Sequence, residues 1–306
     1  MKTEAAICSR SFSTVRARLL DYVELVKPRM ALLVVFTVAA GAWLAARGVP
    51  DLPLLINAVF GTALVVGGAC ALNQYLERDI DARMTRTESR PLPAGRLLPH
   101  EALLFGGTLA ILGVAYLAMA LPRIEAALLA AFACFSYVFV YTPLKPLTSV
   151  NTLVGAVPGA LPPVIGWTAV RGRLEADAVI LFLIIFFWQV PHFLAIAWLY
   201  RKDYKRAGLC MLPVVDPCGR ITARQMVLYC LALLSISLVP ALRGSAGPLY
   251  FAGAGLLGLG FLAAAGGFMR NVADAQARRV LRASLLYLPA LLSLLAIDQW
   301  LSASSF

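Results

Sequence analysis

Residues 178–199 read AVILFLIIFFWQVPHFLAIAWL, a run of 22 residues without one Asp, Glu, Lys or Arg. As an α-helix that run is about 33 Å long, close to the hydrocarbon thickness of a bilayer. The pattern recurs along the chain. Apolar runs at 30–47, 52–72, 101–120, 124–142, 151–169, 178–199, 226–242, 247–268 and 283–302 predict about nine transmembrane helices. They are continuous in Leu, Ala, Val and Gly rather than alternating, which excludes a β-barrel. Helices satisfy their own backbone polar groups in lipid, so the expected class is an all-α polytopic membrane protein. With 60% hydrophobic and only 14% charged residues, a soluble fold is excluded as well.

The distribution of positive charge orients this bundle. Of 27 Lys and Arg, five (Arg47, Arg123, Arg171, Arg173 and Arg243) fall in one set of connections, and all the others lie before the first run or in the alternate set. Basic residues accumulate on the cytoplasmic side, so the N-terminus and the large loops are expected there and the C-terminus outside. The net charge of +11 then needs no nucleic acid as partner. The expected division is a 1–29 cytoplasmic N-terminal segment and a 30–302 intramembrane domain. The first 29 residues lack an apolar core followed by a small-residue cleavage site, so no cleaved signal peptide is expected. Cysteines at 8, 70, 134, 210, 218 and 230 form no C-x-x-C and read as small hydrophobes rather than disulfides or metal thiolates. Cys8 has no apolar stretch before it, which argues against a lipid anchor.

Two loops carry charge where charge is expensive. The first reads NQYLERDIDARMTRTESRPLPAGR, residues 73–96. If the second helix continues past the membrane face, Asn73, Glu77 and Asp81 fall at i, i+4 and i+8 on one stripe, while Asp79 faces elsewhere. An amide and two carboxylates are hard oxygen ligands suited to Mg²⁺, which completes its shell with water and phosphate. Arg83, Arg86 and Arg90 follow, and guanidinium forks match phosphate oxygens. Metal ligands plus arginines read as a diphosphate site; the alternative is a solvated, salt-bridged helix end.

The second loop follows the sixth helix, WQVPHFLAIAWLYRKDYKRAGLCMLPVV, which emerges in the same direction as the second. Asp203, with Lys202, Lys205 and Arg206 beside it, is a candidate second carboxylate. Tyr200 and Tyr204 fit an interfacial aromatic belt. His192 is an imidazole inside an apolar run, about 16 Å up the helix from Asp203. Pro191 before it should kink the helix. A histidine merely hydrogen-bonded within the bundle is the competing reading.

In these two loops the sequence resembles the UbiA superfamily of intramembrane prenyltransferases, and within it the heme O synthase branch. Asn73, Glu77 and Asp81 match the superfamily's N-x-x-x-[DE]-x-x-x-D. RTESRPLPAGR, with Arg86, Thr87, Arg90, Pro91 and Gly95, is similar to that branch's motif, as is LVKPRM with Lys27 at the first helix. YTPLKPLTSVNTLVGAVPGALPPVIGW, 141–167, resembles a further branch segment, one residue shorter near Leu144 and with Pro146 where Arg is usual. Trp188, Gln189, Pro191, His192, Asp203, Tyr204, Gly208, Met211, Leu212 and Pro213 match its heme-specific motif.

The resemblance implies a UbiA-like bundle with a central cavity open to the cytoplasmic side, in a bacterial inner membrane. It implies transfer of a farnesyl group from farnesyl diphosphate to a vinyl group of heme B, with addition of water. By the same resemblance Mg²⁺ is held by Asn73, Glu77, Asp81 and Asp203, and the diphosphate by Lys27, Arg83, Arg86, Arg90 and Lys202. His192, Trp188 and Tyr200 then face the heme, and a downstream heme A synthase is the implied partner. A quinone-type aromatic prenyltransferase and a secondary transporter are the competing functions.

The topology has a direct check. A reporter fused after Ser89 is expected to read cytoplasmic and one fused after Phe306 external; both reporters on one side would contradict an odd number of crossings.

Overall fold

The computed structural model describes residues 15–303, with side chains as far as 301. Cys8 and Phe306 lie outside that range. The described chain contains no strands. A helix α1 over 15–25 precedes α2 (Pro28–Ala46), α3 (Leu52–Asp81), α4 (Pro99–Ala120) and α5 (Glu125–Phe135). A π-helical turn, Ser136–Tyr141, leads into the short α6 (Thr142–Leu144). Then come α7 (Asn151–Ala160), α8 (Pro162–Arg171), α9 (Ala176–Leu199), α10 (Arg201–Arg206), α11 (Leu212–Val215), α12 (Arg220–Leu242), α13 (Pro248–Arg270) and α14 (Asp274–Ala303). Among the described residues nine helical stretches are long and apolar enough to cross a membrane.

Hydropathy locates these spans but not their ends. α3 runs to Asp81 rather than 72, α12 starts at 220 rather than 226, and α14 starts at 274 rather than 283. A helix need not stop where lipid stops, because its hydrogen bonds close internally, so its polar end turns project into water. The fifth span is broken at Leu161, where Pro162 and Pro163 open α8. The amide-less prolines suit the first turn of a new helix better than the middle of an old one. α9, by contrast, continues through Pro191.

The packing follows small residues. A Cβ on Gly41 of α2 would overlap the carbonyl of Pro163, and one on Gly166 of α8 would overlap the carbonyl of Val38. The two backbones therefore touch, as helices in lipid do when side chains vanish from the interface. The largest apolar core centres on α9, packed against α12, α13 and α14, and includes Phe261, Phe268, Tyr250, Tyr287 and Met226; it extends to Leu44 of α2 and Trp167 of α8. Large apolar side chains such as Leu32, Leu104, Ile111, Met119, Leu256 and Leu286 remain exposed, which suits a surface bathed in lipid. The described cysteines are free, with Cys70 and Cys230 buried.

Contacts between loops mark the two ends of the bundle. At one end Arg206 reaches Thr85, Cys210 reaches Lys145, and Arg201 pairs with Asp274. At the other end Asp177 lies between Arg47 and Arg243, about 4 Å and 3.6 Å away. The two acidic loops thus share one end.

Gly166→Val should force α2 and α8 apart and lower the thermal unfolding temperature in detergent markedly. Gly255→Ala, where an added Cβ meets nothing within 4 Å, should leave it unchanged.

Candidate active site

The final turns of α3 carry Asn73, Glu77 and Asp81 on one face, all buried, with relative exposures of 1%, 6% and 1%. Asp79 is exposed, with Arg78 at 3.9 Å. Three acceptor groups in a row, out of water, need positive charge or donors. Each receives one from a different segment.

Lys27, at the junction of α1 and α2, donates from Nζ to Asn73 Oδ1 at 3.1 Å. Its backbone is in the left-handed region, φ 49°, a strained choice for a residue with a Cβ. Gln74 holds the junction in place by donating to the Leu25 carbonyl at 2.8 Å. Burial pulls the Lys27 ammonium below the usual lysine range. The amide of Asn73 donates in turn to Thr142 Oγ1 at 3.1 Å, and that hydroxyl donates to the Tyr137 carbonyl at 2.9 Å. The π turn makes this last bond available, because the Thr142 N–H also points back five residues to the same carbonyl.

Glu77 pairs with Lys145, Oε1 to Nζ 2.5 Å, and the ammonium lies 4.6 Å from the centre of the Tyr141 ring. Burial alone would lower the Lys145 pKa. Tyr141 and Glu77 more than offset it, so the group is raised above the usual range and stays charged. Asp81 Oδ2 accepts from Arg90 at 2.6 Å, and Thr87 donates to the Asp81 carbonyl at 2.8 Å. Asp81 Oδ1 is buried and has no hydrogen-bond partner among the described residues. That oxygen is left for something else to satisfy.

The second loop closes over the first. Arg206 donates to Asp203 Oδ1 and to Thr85 Oγ1, both at 3.0 Å. Arg86 lies 4.8 Å from the Tyr200 ring and 5.7 Å from the Tyr204 ring, and donates to the Tyr204 hydroxyl at 3.3 Å. Tyr200 and Tyr204 therefore hold an arginine, beyond any belt role. Arg83 and Lys202 are exposed. Asp203 stays with Arg206: among the described residues no three acids, thiols or imidazoles gather at one point. Beneath, Asn151 is fully buried and donates to the carbonyls of Thr148 and Cys210, at 2.6 Å and 3.1 Å. The Cys210 amide donates to the Lys145 carbonyl at 2.9 Å. That lattice sets Lys145 against Glu77.

His192 lies apart, deeper in α9. It stacks on Trp188, with centroids 5.0 Å apart, and its Nδ1 is 2.8 Å from Ser284 Oγ.

Lys145 and Thr142 stand in the 141–167 segment with no site role assigned to them, and Ser284 stands outside every motif. Lys145 left a trace, since it is the sole charged residue between Glu125 and Arg171. A lone charge in so apolar a stretch must have a partner. Thr142 carries no such mark beyond its place in that segment, and Ser284 left none.

The helical bundle concentrates acids, counter-cations and exposed arginines at one end. Residues 34–289 match the UbiA prenyltransferase family, and the chain belongs to that family. A relative from Solibacter usitatus, called protoheme IX farnesyltransferase, is 46% identical over 91% of this chain and 98% of its own length. The fold is shared with a digeranylgeranylglyceryl phosphate synthase structure, with a TM-score of 0.79, 18% identity and coverage of 92% and 99% of the two chains. A UbiA homolog from Archaeoglobus fulgidus, bound to DMAPP and Mg²⁺, has a TM-score of 0.62, 16% identity and coverage of 90% and 99%.

Lys145→Met should strip the counter-charge from Glu77 and destabilise the protein by roughly 3 kcal/mol, the scale for halving a buried pair. Adding Glu77→Gln should restore much of that loss. Equal unfolding temperatures for the single and double variants would show that the pair does not couple.

Proposed function

We propose that this protein transfers the farnesyl group of farnesyl diphosphate to a vinyl group of heme B, yielding heme O and diphosphate. The observation that carries this reading is the Asn73, Glu77, Asp81 stripe facing Lys27, Lys145 and Arg90, in a chain 46% identical to a protoheme IX farnesyltransferase. Family membership disfavours a transporter. The half-buried His192, well inside the membrane, favours a heme acceptor over a small aromatic acid.

The donor set fits Mg²⁺, for the ion takes one or two carboxylates and neutral oxygens, and Asp81 Oδ1 is buried without a partner. Asn73, Glu77 and Asp81 would hold it, with Asp203 as a fourth candidate. When bound, it supplies positive charge against the leaving diphosphate. Arg83, Arg86, Lys202 and Lys27 bind the phosphates. Arg90 and Lys145, which pair with Asp81 and Glu77, would add to that field.

The allylic C–O bond breaks with its electron pair leaving on the diphosphate. The terminal vinyl carbon of the heme bonds to the farnesyl carbon, leaving a cation at the adjoining vinyl carbon. Water adds there and loses a proton to give the hydroxyl. The protein's task is to keep water from the first cation and admit it to the second. Apolar walls serve the former. At the loop end, Val150, Leu153, Val190, Leu194 and Leu212 line a pocket of about 110 Å³ rimmed by Ser149, Thr152 and Gln225, a place for part of a prenyl chain. His192, with Trp188 stacked on it, faces the porphyrin, and Tyr200 steadies Arg86 at the mouth. The N-terminus and the loops lie in the cytoplasm and the C-terminus outside a bacterial inner membrane, with 1–29 preceding the 30–302 catalytic domain.

Asp81→Asn, assayed by diphosphate release and product mass, should cut turnover at least ~100-fold, with Asp79→Asn as the neutral control. Near-normal turnover of Asp81→Asn at saturating Mg²⁺ removes the metal assignment.

His192→Ala should weaken heme binding while leaving farnesyl diphosphate affinity unchanged, and Glu77→Gln should do the reverse. Equal losses of both affinities in His192→Ala would mean that the imidazole only braces α9.

A further inference from the structure

One residue of α14 holds His192 in two ways. The Ser284 carbonyl accepts the indole N–H of Trp188 at 2.7 Å, and Trp188 stacks on the imidazole with the planes 22° from parallel. The Ser284 hydroxyl oxygen lies 2.8 Å from His192 Nδ1. Ser284 itself has no solvent exposure. The ring is therefore fixed on one face and at one nitrogen, while Nε2 has no hydrogen bond among the described residues.

Counting protons shows which nitrogen carries hydrogen. A serine hydroxyl has one proton to give. The Leu281 carbonyl, 2.6 Å from the same oxygen, can only accept, and it takes that proton. The contact with Nδ1 is then a hydrogen bond only if Nδ1 donates. A neutral imidazole has a single N–H, so Nε2 is left as a bare lone pair. An imidazole whose far N–H is anchored to an oxygen is also the arrangement by which proteins aim a histidine at a metal.

We propose that Ser284 is a positioning residue that fixes His192 in the Nδ1–H tautomer and so presents Nε2 as an axial ligand to the iron of the acceptor porphyrin. This rests on the heme reading of His192 given above. Iron is the ligand class that fits: an imidazole nitrogen without a hydrogen bond among the described residues, on a ring held rigid by Ser284 and by the stacked Trp188. The serine does not touch the reacting atoms. It acts through the imidazole, and through the Trp188 stack that the same residue anchors.

The chain contains two histidines, so the exposed His100 can be replaced by Ala to leave His192 as the sole imidazole. Nitrogen NMR of the ¹⁵N-histidine-labelled full-length protein in nanodiscs should show a protonated Nδ1 and a bare Nε2. The opposite tautomer overturns the proposal, and this measurement requires no change at Ser284. Ser284→Ala should mix the tautomers, weaken heme binding about tenfold, the worth of one good hydrogen bond, and remove the imidazole-type shift of the heme Soret band. Ser284→Thr, which keeps the hydroxyl, should retain both. Metal-free protoporphyrin, which has no iron to ligate, should bind wild type and Ser284→Ala alike, and should bind wild type less tightly than heme does. A Ser284→Ala protein with wild-type heme affinity and spectrum, beside a His192→Ala protein that has lost them, overturns the role of Ser284 alone. A His192→Ala protein that binds heme as wild type does brings down the heme reading of His192 and this inference with it.

Discussion

Two buried carboxylates at the edge of a membrane can persist only with their charge balanced, and that balance organises this protein. Glu77 and Asp81 lie in the last turns of α3, where an unpaired carboxylate would take up a proton or unravel the turn. Lys145 and Arg90 prevent both. With Lys27 on Asn73, one face of one helix collects three segments that are distant in sequence: the entry to α2, the loop after α3 and the connection from α6 to α7. Each ion pair is at once a structural tie and an occupied coordination position.

The spans and the stripe were legible in the sequence because both obey a period. Hydrophobic length marks a crossing, and a four-residue repeat marks a face. Asn73, Glu77 and Asp81 could be placed together from spacing alone, and Asp79 set aside. What spacing does not carry is the partner. Lys145 lies 68 residues beyond Glu77, and only the fold brings them together. Asp203 shows the converse. Its cationic partner, Arg206, is an i,i+3 neighbour that local spacing alone allows. Helix ends were misplaced for a third reason, since hydropathy senses lipid whereas the backbone senses only its own hydrogen bonds.

The site divides by depth. Charged groups crowd the loop end, where water and phosphate can reach them, while His192 and Trp188 sit lower among apolar side chains. One substrate half is polyanionic and the other half of the chemistry needs dryness, so a graded site is what the reaction demands. Asn151 and the Cys210 amide tie the Lys145 connection to the second loop without contributing chemistry of their own.

The π turn at Ser136–Tyr141 bears on this alignment in another way. A helix advances about 100° in azimuth with every residue. A span that carries one surplus residue in a widened turn therefore arrives at its end rotated by about that angle relative to an uninterrupted α-helix of the same length. Thr142 and Lys145 come after that turn, so the direction in which they leave the span is set by how many residues precede them as much as by which residues they are. Substitutions within the turn alter its packing, with Tyr137 and Tyr141 ring to ring at 5.5 Å. A change in residue count would re-aim the whole cationic side of the site while leaving a membrane helix intact.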